Sequence, residues 1–149
     1  MRRSEKTICV LLAGLAVAVT YSLAEDTKHD SKLQEEIVGT WTLISAKFNG
    51  NPFSFPEGST HIKHVTPTQF MWATYEKDGT VNRAAGGSYT LKGDAYEETP
   101  VYGLGDDFNV VKGKAQAFKC RIEGDKWYHD GKLSNGTTIE EVWQRTKRK

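Results

Sequence analysis

Ser88-Tyr89-Thr90-Leu91-Lys92-Gly93-Asp94-Ala95-Tyr96-Glu97-Glu98-Thr99 carries a short alternating segment on each side of a Gly-Asp pair. Alternation of that kind has the period of a half-buried strand, and glycine at the first linking position suits a type II′ hairpin turn. Gly124-Asp125 repeats the signal, while Asn135-Gly136 and Asp78-Gly79 suit type I′ turns. Four tight hairpins in series describe a meander of antiparallel neighbours. A long meander has edges to hide, and closing on itself removes them. The expected fold is therefore all-β, an eight-stranded antiparallel up-and-down barrel. A flattened sandwich is the alternative that the same hairpins allow.

Working outward from these turns, the patterning predicts strands at Thr40–Phe48, His61–Thr66, Gln69–Glu76, Thr80–Ala85, Ser88–Lys92, Ala95–Thr99, Lys114–Glu123, Lys126–Leu133 and Thr137–Thr146. The fourth and fifth join into one strand if Gly86-Gly87 forms a bulge. Two segments read as loops: 49–60, with Pro52 and Pro56, and 100–113, with three glycines. Before the first strand, Asp30 or Ser31 can cap a short helix through Glu36, with Leu33 and Ile37 on one side and Gly39 as its stop.

The 149 residues suffice for one domain. Six Phe, 4 Trp, 6 Tyr and 14 Gly suit a compact β protein rich in turns. The net charge of +1 offers no large cationic field for nucleic acid or an anionic membrane. Residues 1–24 read as a secretory signal: Arg2, Arg3 and Lys6 precede an apolar run from Ile8 to Val19, then Ser22-Leu23-Ala24 offers a cleavage site. The run is short for a bilayer span, which needs about 20 apolar residues, although an uncleaved N-terminal anchor is the competing reading. The expected organisation is a signal at 1–24, a polar leader with a short helix at 25–36, and a barrel domain at 37–149. Cleavage near Ala24 makes the product extracytoplasmic, periplasmic or secreted, without stable membrane insertion. It also removes Cys9 and leaves Cys120 alone, so no internal disulfide is available and the core must supply the stability.

The short helix leading into Gly39-Thr40-Trp41 resembles the Gly-x-Trp opening of lipocalins and related calycins. Thr60-His61-Ile62-Lys63-His64-Val65-Thr66-Pro67-Thr68, Gly86-Gly87-Ser88-Tyr89-Thr90-Leu91-Lys92-Gly93-Asp94, Leu133-Ser134-Asn135-Gly136 and Ile139-Glu140-Glu141-Val142-Trp143 extend the likeness. Together they resemble a family of small secreted bacterial lipocalin-like proteins, over most of residues 37–147. The resemblance implies a barrel closed at one end by Trp41, under a basic side chain for which Arg145 is the candidate. It implies no established activity. The helical lid of fatty-acid-binding relatives has no counterpart here.

Two-residue turns fix register, so facing can be counted. Across Gly124-Asp125, Ile122 faces Trp127, Cys120 faces His129 and Phe118 faces Gly131, all inward, while Lys119 meets Asp130 outside. Across Gly93-Asp94, Tyr89, Leu91, Tyr96 and Glu98 go inside. Phe70 and Trp72 share a face with Thr74, and a two-residue turn at Asp78-Gly79 sets Arg83 opposite Thr74. A two-residue turn at Asn135-Gly136 places Glu140 inward and Trp143 outward, and a bulge in the last strand would reverse both.

The expected interior is aromatic with a few ionisable groups, which suits a small-molecule site. Trp72, Arg83, Tyr89, Tyr96, Glu98, Phe118 and His129 are the candidate ligand-binding residues. The expected ligand is small, apolar or amphipathic, with at least one polar group. No catalysis, metal, cofactor or nucleic acid is expected. His61 and His64, three apart on a strand, point to opposite faces and do not share a metal. Cys120 beside His129 reads as a buried small side chain rather than a nucleophile. A Glu98–Glu140 acid/base pair across the barrel is a remote enzymatic option. The main alternative function is a cell-envelope protein-interaction module with a filled barrel, using Phe53 and Phe55 of loop 49–60 and Tyr102 and Phe108 of loop 100–113.

Overall fold

The computed structural model describes residues 32–147. The signal, most of the leader and the last two residues lie outside that range. A short helix α1 (32–37) precedes β1 (Gly39–Phe48), β2 (Asn51–Pro52), β3 (Thr60–Val65), β4 (Gln69–Tyr75), β5 (Val81–Lys92) and β6 (Ala95–Leu104). A second helix, α2 (Asp106–Val111), then leads to β7 (Gln116–Glu123), β8 (Lys126–Lys132) and β9 (Thr138–Arg145). Each strand from β3 to β9 pairs with the next, β1 pairs with both β3 and β9, and all pairings are antiparallel. Eight strands thus close an up-and-down barrel, with β2 a two-residue ribbon on the far end of β1.

The Gly-Asp turns set the predicted registers. Lys92 pairs with Ala95 and Glu123 with Lys126. Gly93 and Gly124 take φ of 58° and 57° while neither aspartate has positive φ, as a type II′ turn demands. The two segments around Gly86-Gly87 are one strand, β5, with a bulge in its pairing to β6. A Cβ on Gly87 would lie 2.0 Å from the Thr99 carbonyl oxygen, so only glycine tolerates this approach.

Four local expectations are corrected. Segment 100–113 is not a loop: β6 continues to Leu104 and α2 follows. Pro100 is tolerated because it sits at the bulge, where β6 has already left β7 and needs no ladder N–H. In segment 49–60, Asn49-Gly50 forms a two-residue turn with φ of 51° and 78°, pairing Phe48 with Asn51. At Asn135-Gly136 the turn has three residues: Leu133 N–H donates to Thr137 O at 2.8 Å and Gly136 takes φ 93°. One extra residue flips the whole of β9, so Trp143 faces Trp127 inside and Glu140 lies outside against Lys47. Asp78-Gly79 also forms a three-residue turn, but a bulge at Asn82 cancels the slip and Thr74 still pairs with Arg83.

One barrel end is closed by α1. Leu33 and Ile37 bury their side chains there with Trp41, whose indole N–H donates to Ile37 O at 2.8 Å. The Arg145 guanidinium lies 4.1 Å from the Trp41 ring centroid and donates to the carbonyls of Val38 and Glu36. Gly39 takes φ 149°, a backbone conformation that side chains rarely adopt, which accounts physically for the glycine of Gly-x-Trp. Above Trp41 the core continues through Trp127, 5.5 Å away edge-on, to Trp143 at 6.1 Å. Such ring pairs add about 0.5–1.5 kcal/mol each beyond their burial.

Candidate functional site

At the end away from α1 the barrel holds a cavity of about 370 Å³, within the range of small-molecule sites. It has a charged floor, an aromatic wall and a mouth that carries exposed Asn135 and Asp107.

The floor is built by β3, β6, β8 and β9. Lys63, 2% exposed, donates to Glu98 Oε1 at 2.6 Å, and the Tyr96 hydroxyl donates to the same oxygen at 2.8 Å. The ammonium also lies 4.9 Å from the Trp127 centroid and 5.0 Å from that of Trp143. A buried ion pair needs such extra partners, because desolvation otherwise consumes its Coulombic gain. Beside it, Glu141 Oε2 accepts from His129 Nδ1 and from the Trp143 indole N–H, each at 3.0 Å. A carboxylate only accepts, so His129 carries a proton on Nδ1. Burial alone would raise the Glu141 carboxyl, but the His129 hydrogen bond, with the Lys63 ammonium behind it, holds it below the ordinary carboxylate value. His129 Nε2 and Trp127 Nε1 are buried without a hydrogen-bond partner among the described residues.

The wall is a chain of rings: Phe48 to Phe53 at 5.1 Å, Phe53 to Phe55 at 5.0 Å, and Phe55 to His61 at 6.3 Å. His61 stacks on Trp72 at 5.1 Å and its Nδ1 bonds the Thr74 hydroxyl at 2.8 Å. At the mouth Arg83 pairs with Asp107 at 2.8 Å, in the first turn of α2, where a carboxylate is electrostatically favoured. Gln116, 2% exposed, closes the β8–β9 turn by accepting from Ser134 N–H at 2.8 Å.

Five of the seven sequence candidates line this cavity: Trp72, Arg83, Glu98, Phe118 and His129. Tyr96 and Tyr89 do not line it. Tyr96 is spent on Glu98, and the Tyr89 hydroxyl donates to Thr66 O at the β3–β4 turn, 2.8 Å away. Glu140, exposed on Lys47, cannot pair with Glu98 across the barrel. Phe53 and Phe55 fold over the cavity and Phe108 is buried, while Tyr102 stays 48% exposed. His61 faces in and His64 faces out, bonded to the Thr40 hydroxyl at 3.0 Å. Burial pushes the Cys120 thiol up to about 12, so it is no thiolate near neutral pH.

Lys63, His61 and Glu141 were not anticipated as site residues. Lys63 and His61 pair across from Trp72 and Thr74, so the register of the β3–β4 turn was the missing signal. Glu141 was hidden by the misjudged turn at Asn135-Gly136.

His61 makes the protein acid-sensitive. Burial lowers its pKa from 6.5 to about 4, Lys63 and Arg83 adding to the effect and Glu141 opposing it. The unfolded chain therefore binds a proton that the folded protein resists. The stability is whole above about pH 6.5 and falls as the pH drops towards 4, by about 3 kcal/mol from this group. Urea midpoints measured between pH 7.5 and pH 4.5 should fall steeply for the natural chain and less for His61→Gln. Parallel slopes would show that His61 is not responsible. Glu141 adds its own loss only at lower pH, where its depressed carboxyl titrates.

No family model matches this chain, and no curated protein matches it. Among solved structures, a redesigned beta barrel is similar at 16% identity and a TM-score of 0.49, covering 80% of this chain and 96% of that one. A de novo designed fluorescence-activating beta barrel is similar at 15% identity and a TM-score of 0.44, covering 73% of this chain and 93% of that one. The barrel assignment rests on the strand pairings of this chain itself. Among the described residues no helix is long and apolar enough to cross a membrane.

Proposed function

We propose that this chain is an exported, lipocalin-like, non-catalytic barrel that binds a small, partly apolar molecule in its open end. The observation that carries the reading is the cavity of about 370 Å³, apolar along its wall and served at its floor by a few convergent polar groups. The inward folding of Phe53 and Phe55 favours this reading over an interaction surface on the loops, because those rings extend the wall of the cavity. Trp72, Phe118 and the phenylalanines supply contact area, while Glu141, His129 and Arg83 orient the polar group. Export rests on the basic start and apolar run of residues 1–24. The lipocalin-like assignment rests on the Gly39-Thr40-Trp41 opening, Arg145 over Trp41, and the up-and-down barrel.

A neutral dye tests the cavity. N-phenyl-1-naphthylamine should show a saturable fluorescence rise with one site per chain, and Leu133→Trp, which narrows the cavity, should weaken it. An equal rise with Leu133→Trp, or no saturable rise at all, would overturn the reading.

A further inference from the structure

We propose that the cavity takes an organic cation: a small amine whose ammonium binds Glu141 Oε1 and whose apolar body lies against Trp72, Phe53 and Phe55. This deepens the cavity reading and rests on it.

Both donors that reach Glu141, His129 Nδ1 and Trp143 Nε1, bond Oε2. No described residue donates to Oε1. The side chain retains 11% exposure although β9 turns it into the barrel and it lines the cavity, so that exposure is to the cavity. A carboxylate oxygen with free lone pairs, in an enclosure that water shares only through its mouth, is a site for an N–H or O–H donor.

Charge decides between donors. Lys63 is matched by Glu98 and Arg83 by Asp107. Glu141 is the cavity carboxylate with neither lysine nor arginine against it. Apart from the imidazoles, the lining therefore carries one more carboxylate than it has cations. A cation completes this set, whereas an anion adds to the surplus. Arg83 does not reverse the argument, because a ligand carboxylate that captured it would release Asp107 and leave the same excess. The wall suits an ammonium too, since ring faces attract cations, and Lys63 is already held between Trp127 and Trp143 by that means.

The test compares three probes of one shape on the full chain at pH 7 by isothermal titration calorimetry: 2-phenylethylamine, 2-phenylethanol and 3-phenylpropanoate. The amine should bind about tenfold or more tighter than the alcohol, the increment of a charge-assisted hydrogen bond, and the acid should bind weakest. Glu141→Gln should bring the amine down to the level of the alcohol while leaving the alcohol within about twofold, since an amide still accepts but carries no charge. Amine binding no tighter than alcohol or acid, or a preference that survives Glu141→Gln, would overturn the proposal. The comparison on the natural chain stands even if the variant folds poorly. Dye binding in the same sample separates the two failures: dye bound without amine preference removes the cation alone, and no dye binding removes the cavity reading as well.

Discussion

Lys63→Met should lower the unfolding free energy by about 3–5 kcal/mol, because it leaves the Glu98 carboxylate buried without its cation. Glu98 is 4% exposed and keeps only the Tyr96 hydroxyl as a partner once the ammonium is gone. Adding Glu98→Gln to Lys63→Met removes the stranded charge and preserves an acceptor for Tyr96. The double variant should recover most of the loss, since neutral replacements of a buried pair are often close to neutral in stability. Urea denaturation of the natural chain, both singles and the double measures the coupling directly. A double variant as unstable as the sum of the singles would show that Lys63 and Glu98 act independently, against the 2.6 Å geometry.

Trp41→Ala should cost a similar about 3–5 kcal/mol, the usual penalty for deleting a buried aromatic. The indole is 0% exposed, ties α1 to the barrel through Ile37 O, and supports the Arg145 guanidinium on its face. Trp72→Ala, half-buried in the cavity wall, should cost only about 1–2 kcal/mol but should sharply weaken dye and amine binding. On the proposed reading Trp41 serves stability alone, while Trp72 serves the cavity. Comparing the thermal midpoints of these two variants with their dye affinities checks the division. A Trp72→Ala chain that binds dye normally would place the ligand elsewhere.

How far this was readable in the sequence follows from turn chemistry. Gly93-Asp94 and Gly124-Asp125 each admit one register, so Phe118, Glu98 and His129 were placed on the inner face correctly. Asn135-Gly136 accommodates either a two-residue turn or a three-residue turn with the glycine at positive φ, and these differ by one residue in every pairing downstream. That ambiguity exchanged Glu140 for Glu141 and hid a residue that lines the cavity. The outward Trp143 it implied was itself the sign of the wrong choice, since the indole is 1% exposed. Tyr89 shows a different limit. Alternation tells which face a residue occupies and not how far along the barrel it sits, so an inward tyrosine was credited to the cavity while its hydroxyl serves Thr66. Lys63 had no local signal: a lysine at a core position becomes legible only when its carboxylate and its rings are known. Asn49-Gly50, by contrast, is an ordinary hairpin signal that was absorbed into a proline-containing loop.

The most direct measurement of the central claim is native mass spectrometry of the protein recovered from its own host, before and after incubation with host extract. The account predicts one small-molecule adduct per chain, lost on denaturation and weakened in both Leu133→Trp and Glu141→Gln. A bare chain in both samples, or an adduct that Leu133→Trp leaves at full strength, would contradict it.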